Sequence, residues 1–370
     1  MKPDTVPQLK PMAWRHAGDA VTIIHDPREA IELSDDDGAV SALLSLLSDG
    51  TRDLAQLHES ILETHPAVTA EEVAGALDAL DDLRLLERAD GTSPGAEDGR
   101  HVSNAAFFST FSTLDTSTEE MLGRLGDARV LVLGVGGLGS NVLQNLAGLG
   151  IGHLTLVDRD LVEPRNFARQ FVYRRSDIGR PKVERAAEWV REFDPTIDVE
   201  TVVADITSAD DVVSLIDRAA PDVVVAGVDS PPESIDRWVN AACVRRGVPF
   251  VRGGMSVTEG VIWSVVPGLT ACYACGRDAT EKSDEARQRE TWDQMHRAAV
   301  PRVNRGIGPV ATLLGGMVSM EVTRLLLGYA PPAYAGGLAV IDLRDGCRLD
   351  VSMGAPNPDC EVCGRSGDSA

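Results

Sequence analysis

Apolar positions recur in two rhythms along this chain, and glycine or proline marks most of the places where the rhythm changes. The clearest passage runs from Ala128 to Val183. Val130-Leu-Val-Leu133 is a continuous apolar run of strand length. Gly134-Val-Gly136-Gly137-Leu-Gly139 follows, and the positions up to Gly150 read as a helix. Leu154-Thr-Leu-Val157 is a second strand, ending at Asp158. A helix is expected from Pro181-Lys182 to Asp194-Pro195, a strand over 198–203, and a helix to Ala219 capped by Thr207 or Ser208. Asp222-Val-Val-Val-Ala226 is near-continuously apolar, as in a parallel strand buried on both faces. Further strands over 249–254 and 260–267 are expected to turn antiparallel, and the region 338–351 is also read as strand. Alternating strands and helices predict an α/β fold with a mostly parallel sheet.

The first part of the chain has a different rhythm. Val21-Thr-Ile-Ile24 and Ala30-Ile-Glu-Leu33 flank a turn at His25-Asp-Pro-Arg-Glu29. Three helical patterns follow. Ser34 is the expected cap of the first, which buries Val40, Leu43, Leu44 and Leu47. Thr51 is the expected cap of the second, with Leu54, Leu57, Ile61 and Leu62 on one face. Thr69-Ala-Glu-Glu72 is a capping box for the third, with Val73, Leu77, Leu80 and Leu83 inward. A hairpin and three helices make a small winged-helix-like α+β domain over 1–90. The turn-former-rich stretch 91–100 reads as a linker, and 101–370 as the main domain.

Charge narrows what these domains bind. The 370 residues carry a formal net charge of -22. Between Ser34 and Asp90 stand three arginines, no lysine and 14 acids. A phosphate backbone would be repelled, so no nucleic-acid partner is expected despite the winged-helix pattern. No basic-apolar leader is seen, and a cytoplasmic location is expected. The apolar run from Gly306 to Leu327 contains Glu321 and Arg324, which favours a buried helix over a membrane span.

The glycine loop carries the first chemistry. Gly134 permits the tight turn out of the strand. Gly136 lets backbone approach a phosphate, and Gly139 lets the helix pack on the strand. The helix N-terminus offers free N–H groups to an anion. Asp158 stands about 20 residues on, where an acid accepts ribose hydroxyls. A nicotinamide dehydrogenase would share all of this. It would have no need for Asn166, Arg169, Gln170 and Lys182 just beyond Asp158. A nucleotidyl-transfer site does, because attack on an α-phosphate builds charge on the phosphoryl oxygens and the leaving pyrophosphate.

At this point the chain resembles the ubiquitin-activating-enzyme superfamily in its ThiF, MoeB and MccB branch. The resemblance runs from about Gly123 to Gly364. It is carried by Gly-x-Gly-Gly-x-Gly at 134–139, by Asp158-x-Asp160-x-Val-Glu163-x-x-Asn166-x-x-Arg169-Gln170, and by Gly179-x-Pro-Lys182. It implies a Rossmann-like ATP-binding adenylation domain. Gly134, Gly136, Gly137, Gly139, Asp158, Asp160, Asn166 and Gln170 would bind ATP, with Asp205 in a loop over the adenine. Arg169 and Lys182 would neutralise phosphoryl oxygens, and Asp229 would hold magnesium. The branch also implies a homodimer in which an arginine near the domain entry reaches the neighbouring site. Here Ser103 stands at that position, with Arg100 nearby. The N-terminal domain resembles the PqqD-like element, which implies a leader peptide added as a strand to the hairpin edge.

Six cysteines complete the chemistry. Cys272-Tyr-Ala-Cys275 and Cys360-Glu-Val-Cys363 each chelate through two thiolates, and together they close a structural zinc site with no open position. Cys243 reads as core, and Cys347 falls in the late strand region. The crossover loop 276–308 has no cysteine, so covalent thioester chemistry is not expected. The loop reads first as a solvated lid, with His296 and Trp292 in it as the alternative of substrate contacts.

The expected activity is ATP-dependent adenylation of a carboxylate, above all the C-terminus of a ribosomally made precursor peptide. Activation of a sulfur-carrier protein is one alternative. A scaffold that binds a leader peptide without using ATP is another.

Overall fold

A computed structural model describes residues 5–26, 28–89, 99–232, 234–256, 258–275, 295 and 306–364. Most of the expected linker and of the crossover loop, with Trp292 and His296, lies outside the described residues. The chain forms two compact units, 1–123 and 124–370.

In the first unit, β1 (Pro7–Leu9) pairs with β5 (Leu86–Arg88), and β2 (Ala13–Ala17), β3 (Ala20–Asp26) and β4 (Glu29–Ser34) form an antiparallel sheet. Helices α1 (Ala39–Leu47), α2 (Leu54–Leu62) and α3 (Ala70–Asp82) pack Leu43, Leu44, Leu47, Leu57, Ile61, Val73, Leu77 and Leu80 with Val21 and Ile23 into one core, but Leu83, expected inward, lies just past the end of α3 and is exposed. Two caps differ from expectation. The Asp35 carboxylate, not Ser34, accepts the N–H groups of Val40 and Ser41 at the start of α1. Asp53, not Thr51, caps α2, in a reciprocal box with Gln56. An ionised carboxylate is the stronger acceptor at a helix start. Thr69 and Glu72 form the box expected at α3.

The entry segment 101–123, read from sequence as part of the main domain, belongs to this first compact unit. It holds α4 (Val102–Ser109), and α5 (Thr118–Asp127) begins in it. Lys10 Nζ donates to the Ser112 and Arg84 carbonyls at 2.7 and 2.9 Å, and Leu114 N–H donates to Asp81 at 2.8 Å. These bonds tie the segment to the N-terminal core. Phe108 is buried there, whereas Phe107 is exposed.

The second unit is built on one eight-stranded sheet in the order β13-β12-β11-β10-β9-β6-β7-β8. The strands are β6 (Arg129–Leu133), β7 (His153–Val157), β8 (Asp198–Val202), β9 (Val223–Ala226), β10 (Phe250–Ser256), β11 (Glu259–Val265), β12 (Gly337–Asp342) and β13 (Arg348–Met353). Strands β8, β7, β6, β9 and β10 run parallel; β11, β12 and β13 continue antiparallel. Helices α6 (Gly137–Leu149), α7 (Lys182–Phe193), α8 (Ala209–Ala219) and α9 (Ser234–Arg246) alternate with the parallel strands, and Ser208 caps α8. The fold is α/β and Rossmann-like, as expected.

Helix α10 (Gly308–Leu327) is long and apolar enough to cross a membrane, by length and composition alone. It packs on α6, β10 and β11. Glycines make this approach possible: a Cβ on Gly315 would lie 2.7 Å from Asn141 Cβ, and one on Gly253 would lie 2.9 Å from both Leu138 and Val318. Glu321 is wholly buried in this helix. Its carboxylate accepts from Ser264 Oγ and from the N–H groups of Ala333 and Tyr334, at 2.7, 2.8 and 2.9 Å.

Candidate nucleotide site and cysteine cluster

A cleft of about 560 Å³ opens at the carboxyl ends of the parallel strands. In a doubly wound sheet this is where ligands bind. Gly134, Gly136, Gly137, Asp158, Asp160, Asn166, Arg169, Gln170, Lys182, Asp205 and Asp229 all line it, together with Arg165. Gly139 does not. A Cβ there would sit 1.8 Å from the Gly134 carbonyl oxygen, so its role is the close packing of α6 on the loop.

Electrostatics sort these residues into an anchoring edge and a cationic floor. Asp158 directly follows β7, and its two oxygens accept the Val135 and Asp160 N–H groups at 2.9 and 2.8 Å. Burial raises its carboxyl above the ordinary range, and Lys182 pulls the other way. Lys182 opens α7 and is 5% exposed. Its ammonium lies 2.7 Å from Asp160 Oδ2. Burial lowers the Arg169 guanidinium, opposed by the charge of Asp229. Asp205 is engaged by Arg159 at 2.7 Å. Gln170 is 1% exposed, and its Oε1 finds no partner among the described residues. A buried amide oxygen without a partner beside a polar cleft fits a group that a bound ligand would satisfy.

Two residues near the glycine loop were not singled out from sequence. Tyr173 is buried and its hydroxyl donates to the Val135 carbonyl at 2.7 Å. Asn141, 2% exposed, donates to the Gly137 and Arg169 carbonyls at 2.7 and 3.0 Å and accepts from Thr312 Oγ1 at 3.0 Å. A tyrosine in a loop and an asparagine on a helix carry no local signal for such roles.

The four cysteines of the two paired motifs converge, with every sulfur within 4.8 Å of the others. Cys272 lies 3.8 Å from Cys275 and 3.7 Å from Cys360, and Cys275 lies 3.3 Å from Cys363. A tetrahedral ion with metal–sulfur bonds of about 2.3 Å needs sulfurs about 3.8 Å apart, so the donor set fits. Burial raises Cys275, but the Asn357 N–H and the facing thiols outweigh it and bring the thiol down to about 7. Asn240 on α9 accepts the Tyr273 N–H at 2.9 Å and so fixes the first knuckle; sequence gave no hint of this. Cys243 is buried in the core, where burial pushes its thiol far up. Cys347 is exposed.

The ThiF family pattern matches residues 110–362. The chain is 34% identical over 265 residues to the SAMP-activating enzyme E1 of Haloferax volcanii, covering 70% of this chain and 89% of that protein. It is 31% identical over 244 residues to the molybdopterin-synthase adenylyltransferase of Escherichia coli, covering 65% and 89%. Its fold is similar to the crystal structure of E. coli MccB, with a TM-score of 0.76 at 18% identity over 98% of both chains. With the pattern spanning most of the chain and relatives above 30% identity, the chain belongs to the ThiF family and is an adenylyltransferase of that family.

Proposed function

We propose that this enzyme activates a carboxylate by adenylation, and that its substrate is the C-terminus of a ribosomally made precursor peptide in peptide natural-product biosynthesis. The observation that carries the reading is the convergence of the glycine loop, Asp158, Arg169, Lys182 and Asp229 on one cleft. Asp158 would hold the ribose, and the α6 N-terminus would take the phosphates. A substrate carboxylate oxygen attacks the α-phosphorus in line. The new P–O bond forms as the bond to the bridging oxygen breaks, and pyrophosphate leaves with that electron pair. Arg169 and Lys182 would face the charge that builds on the phosphoryl oxygens. No side-chain base is required, since a carboxylate is ionised at neutral pH. Asp229 would hold magnesium, which supplies neutralising charge to the phosphates. The cysteine cluster would hold a structural zinc, its four thiolates leaving no open coordination position.

The peptide reading is supported by the first unit. The MccB fold likeness extends over 98% of this chain, so it includes that unit, and one such crystal structure holds MccB together with AMPCPP and MccA. We assign that unit to leader-peptide recognition through a sheet edge, in a cytoplasmic homodimer. Direct transfer from the acyl adenylate, without a thioester, is supported by the absence of cysteine from the sequence between Gly276 and Arg305. The second reading, activation of a sulfur-carrier protein, is favoured by the relatives named above. Pyrophosphate release from MgATP separates the two. Release driven by short peptides encoded beside the gene, reduced at least about 100-fold by Asp229→Ala, supports the peptide reading. Release driven only by a carrier protein ending in Gly-Gly would replace it.

A further inference from the structure

Two parts of the cleft meet the triphosphate in the ATP-site reading, on which this inference rests. One is the glycine loop with the first turn of α6. The other is the segment carrying Arg169 and Gln170. They belong to different stretches of chain, and nothing in the sequence sets the distance between them. We propose that Tyr173 and Asn141 are positioning residues that brace these two parts at a fixed spacing.

The geometry is specific. Val135 lies between Gly134 and Gly136 and is wholly buried. Its N–H is held by Asp158 at 2.9 Å and its carbonyl by the Tyr173 hydroxyl at 2.7 Å. In a planar trans peptide the next N–H points opposite the carbonyl. Holding the Val135 carbonyl therefore aims the Gly136 N–H the other way. The N–H groups of the first helical turn have no intrahelical acceptors and are the donors an anion uses. Tyr173 follows Gln170 by three residues, so the same bond pins the Arg169 segment to the loop. Asn141 makes the second tie: one amide group bonds the Gly137 carbonyl on the loop side and the Arg169 carbonyl on the other. Thr312 on α10 holds the other end of that amide at 3.0 Å, which fixes its orientation.

The brace predicts a loss confined to phosphate recognition. Tyr173→Phe keeps the ring and removes only the donor. Asn141→Ala keeps the Cβ against which Gly315 packs and removes both donors. ATP and adenosine affinities of the full chain are measured by competition against a fluorescent ATP analogue with magnesium present. Each variant is expected to bind ATP about ten-fold more weakly while adenosine binding stays unchanged. A merely structural loss would weaken both ligands together, and that result overturns the proposal, as would wild-type ATP affinity in both variants. If one variant does not fold, the other decides. A wild-type chain that binds ATP no better than adenosine overturns the ATP-site reading itself, and the brace with it.

Discussion

Lys10 is an ammonium almost without access to water. It is 3% exposed, and its donors go to the carbonyls of Arg84 and Ser112. Burial lowers it from 10.5 to about 8, against the pull of Glu87 and Asp81. The folded chain thus releases this proton more readily than the unfolded one. Between about pH 8 and 10.5 the unfolded state holds more protons, so Lys10 makes stability rise with pH there. Below that window the charged amine costs up to about 3 kcal/mol relative to an unperturbed one. Urea denaturation of the wild type and Lys10→Met from pH 7 to 10 reads this directly. The wild type is expected to gain stability relative to the variant as pH rises. A constant difference between the two would show that Lys10 titrates normally. At this scale the sequence was legible where residue type and spacing sufficed: the acids and cations around Asp158 and the glycines of the loop, Gly139 apart, line one cleft. Tyr173 and Asn240 were illegible because their partners are backbone atoms 38 and 33 residues away, and Asn141 because it reaches Arg169 and Thr312, 28 and 171 residues away.

At the scale of elements, Glu321 is the clearest clasp. It joins α10 to β11 through Ser264 and to the chain before β12 through the N–H groups of Ala333 and Tyr334. Glu321→Ala would strand all three donors in an apolar layer. A loss of about 3–5 kcal/mol is expected on chemical denaturation, with Glu321→Gln losing less because it keeps one acceptor and the volume. An alanine variant as stable as wild type would mean that water replaces the carboxylate. Strands β6, β7 and β9 were legible as apolar runs because both of their faces are buried, whereas parallel β8 leaves Asp198 and Glu200 exposed. Strands β1 and β5 were not, since three residues show no period. The caps of α1 and α2 were misplaced because polar residues crowd their starts: Ser34-Asp35-Asp36-Asp37 and Asp49-Gly-Thr51-Arg-Asp53 offer several acceptors each. Thr69 had no such competitor, and its box could be read directly.

For the whole molecule the testable quantity is metal content. One zinc per chain is expected by elemental analysis, with release tracking modification of four thiols. Asn240→Ala, which frees the first knuckle, is expected to weaken retention about ten-fold in a chelator competition. Retention equal to wild type would remove Asn240 from the site. Cys272 and Cys360 are 88 residues apart and touch through sulfur. An ion held by both knuckles ties the ends of a loop that contains α10 and all of β12 and β13. In an unfolded chain that kept the ion, that loop could not open. By the arithmetic of chain closure, a permanent link over such a span removes roughly 4–5 kcal/mol of denatured-state freedom. Much of the metal's effect on stability would then arise in the unfolded ensemble, where it cuts the number of shapes available to the last quarter of the protein.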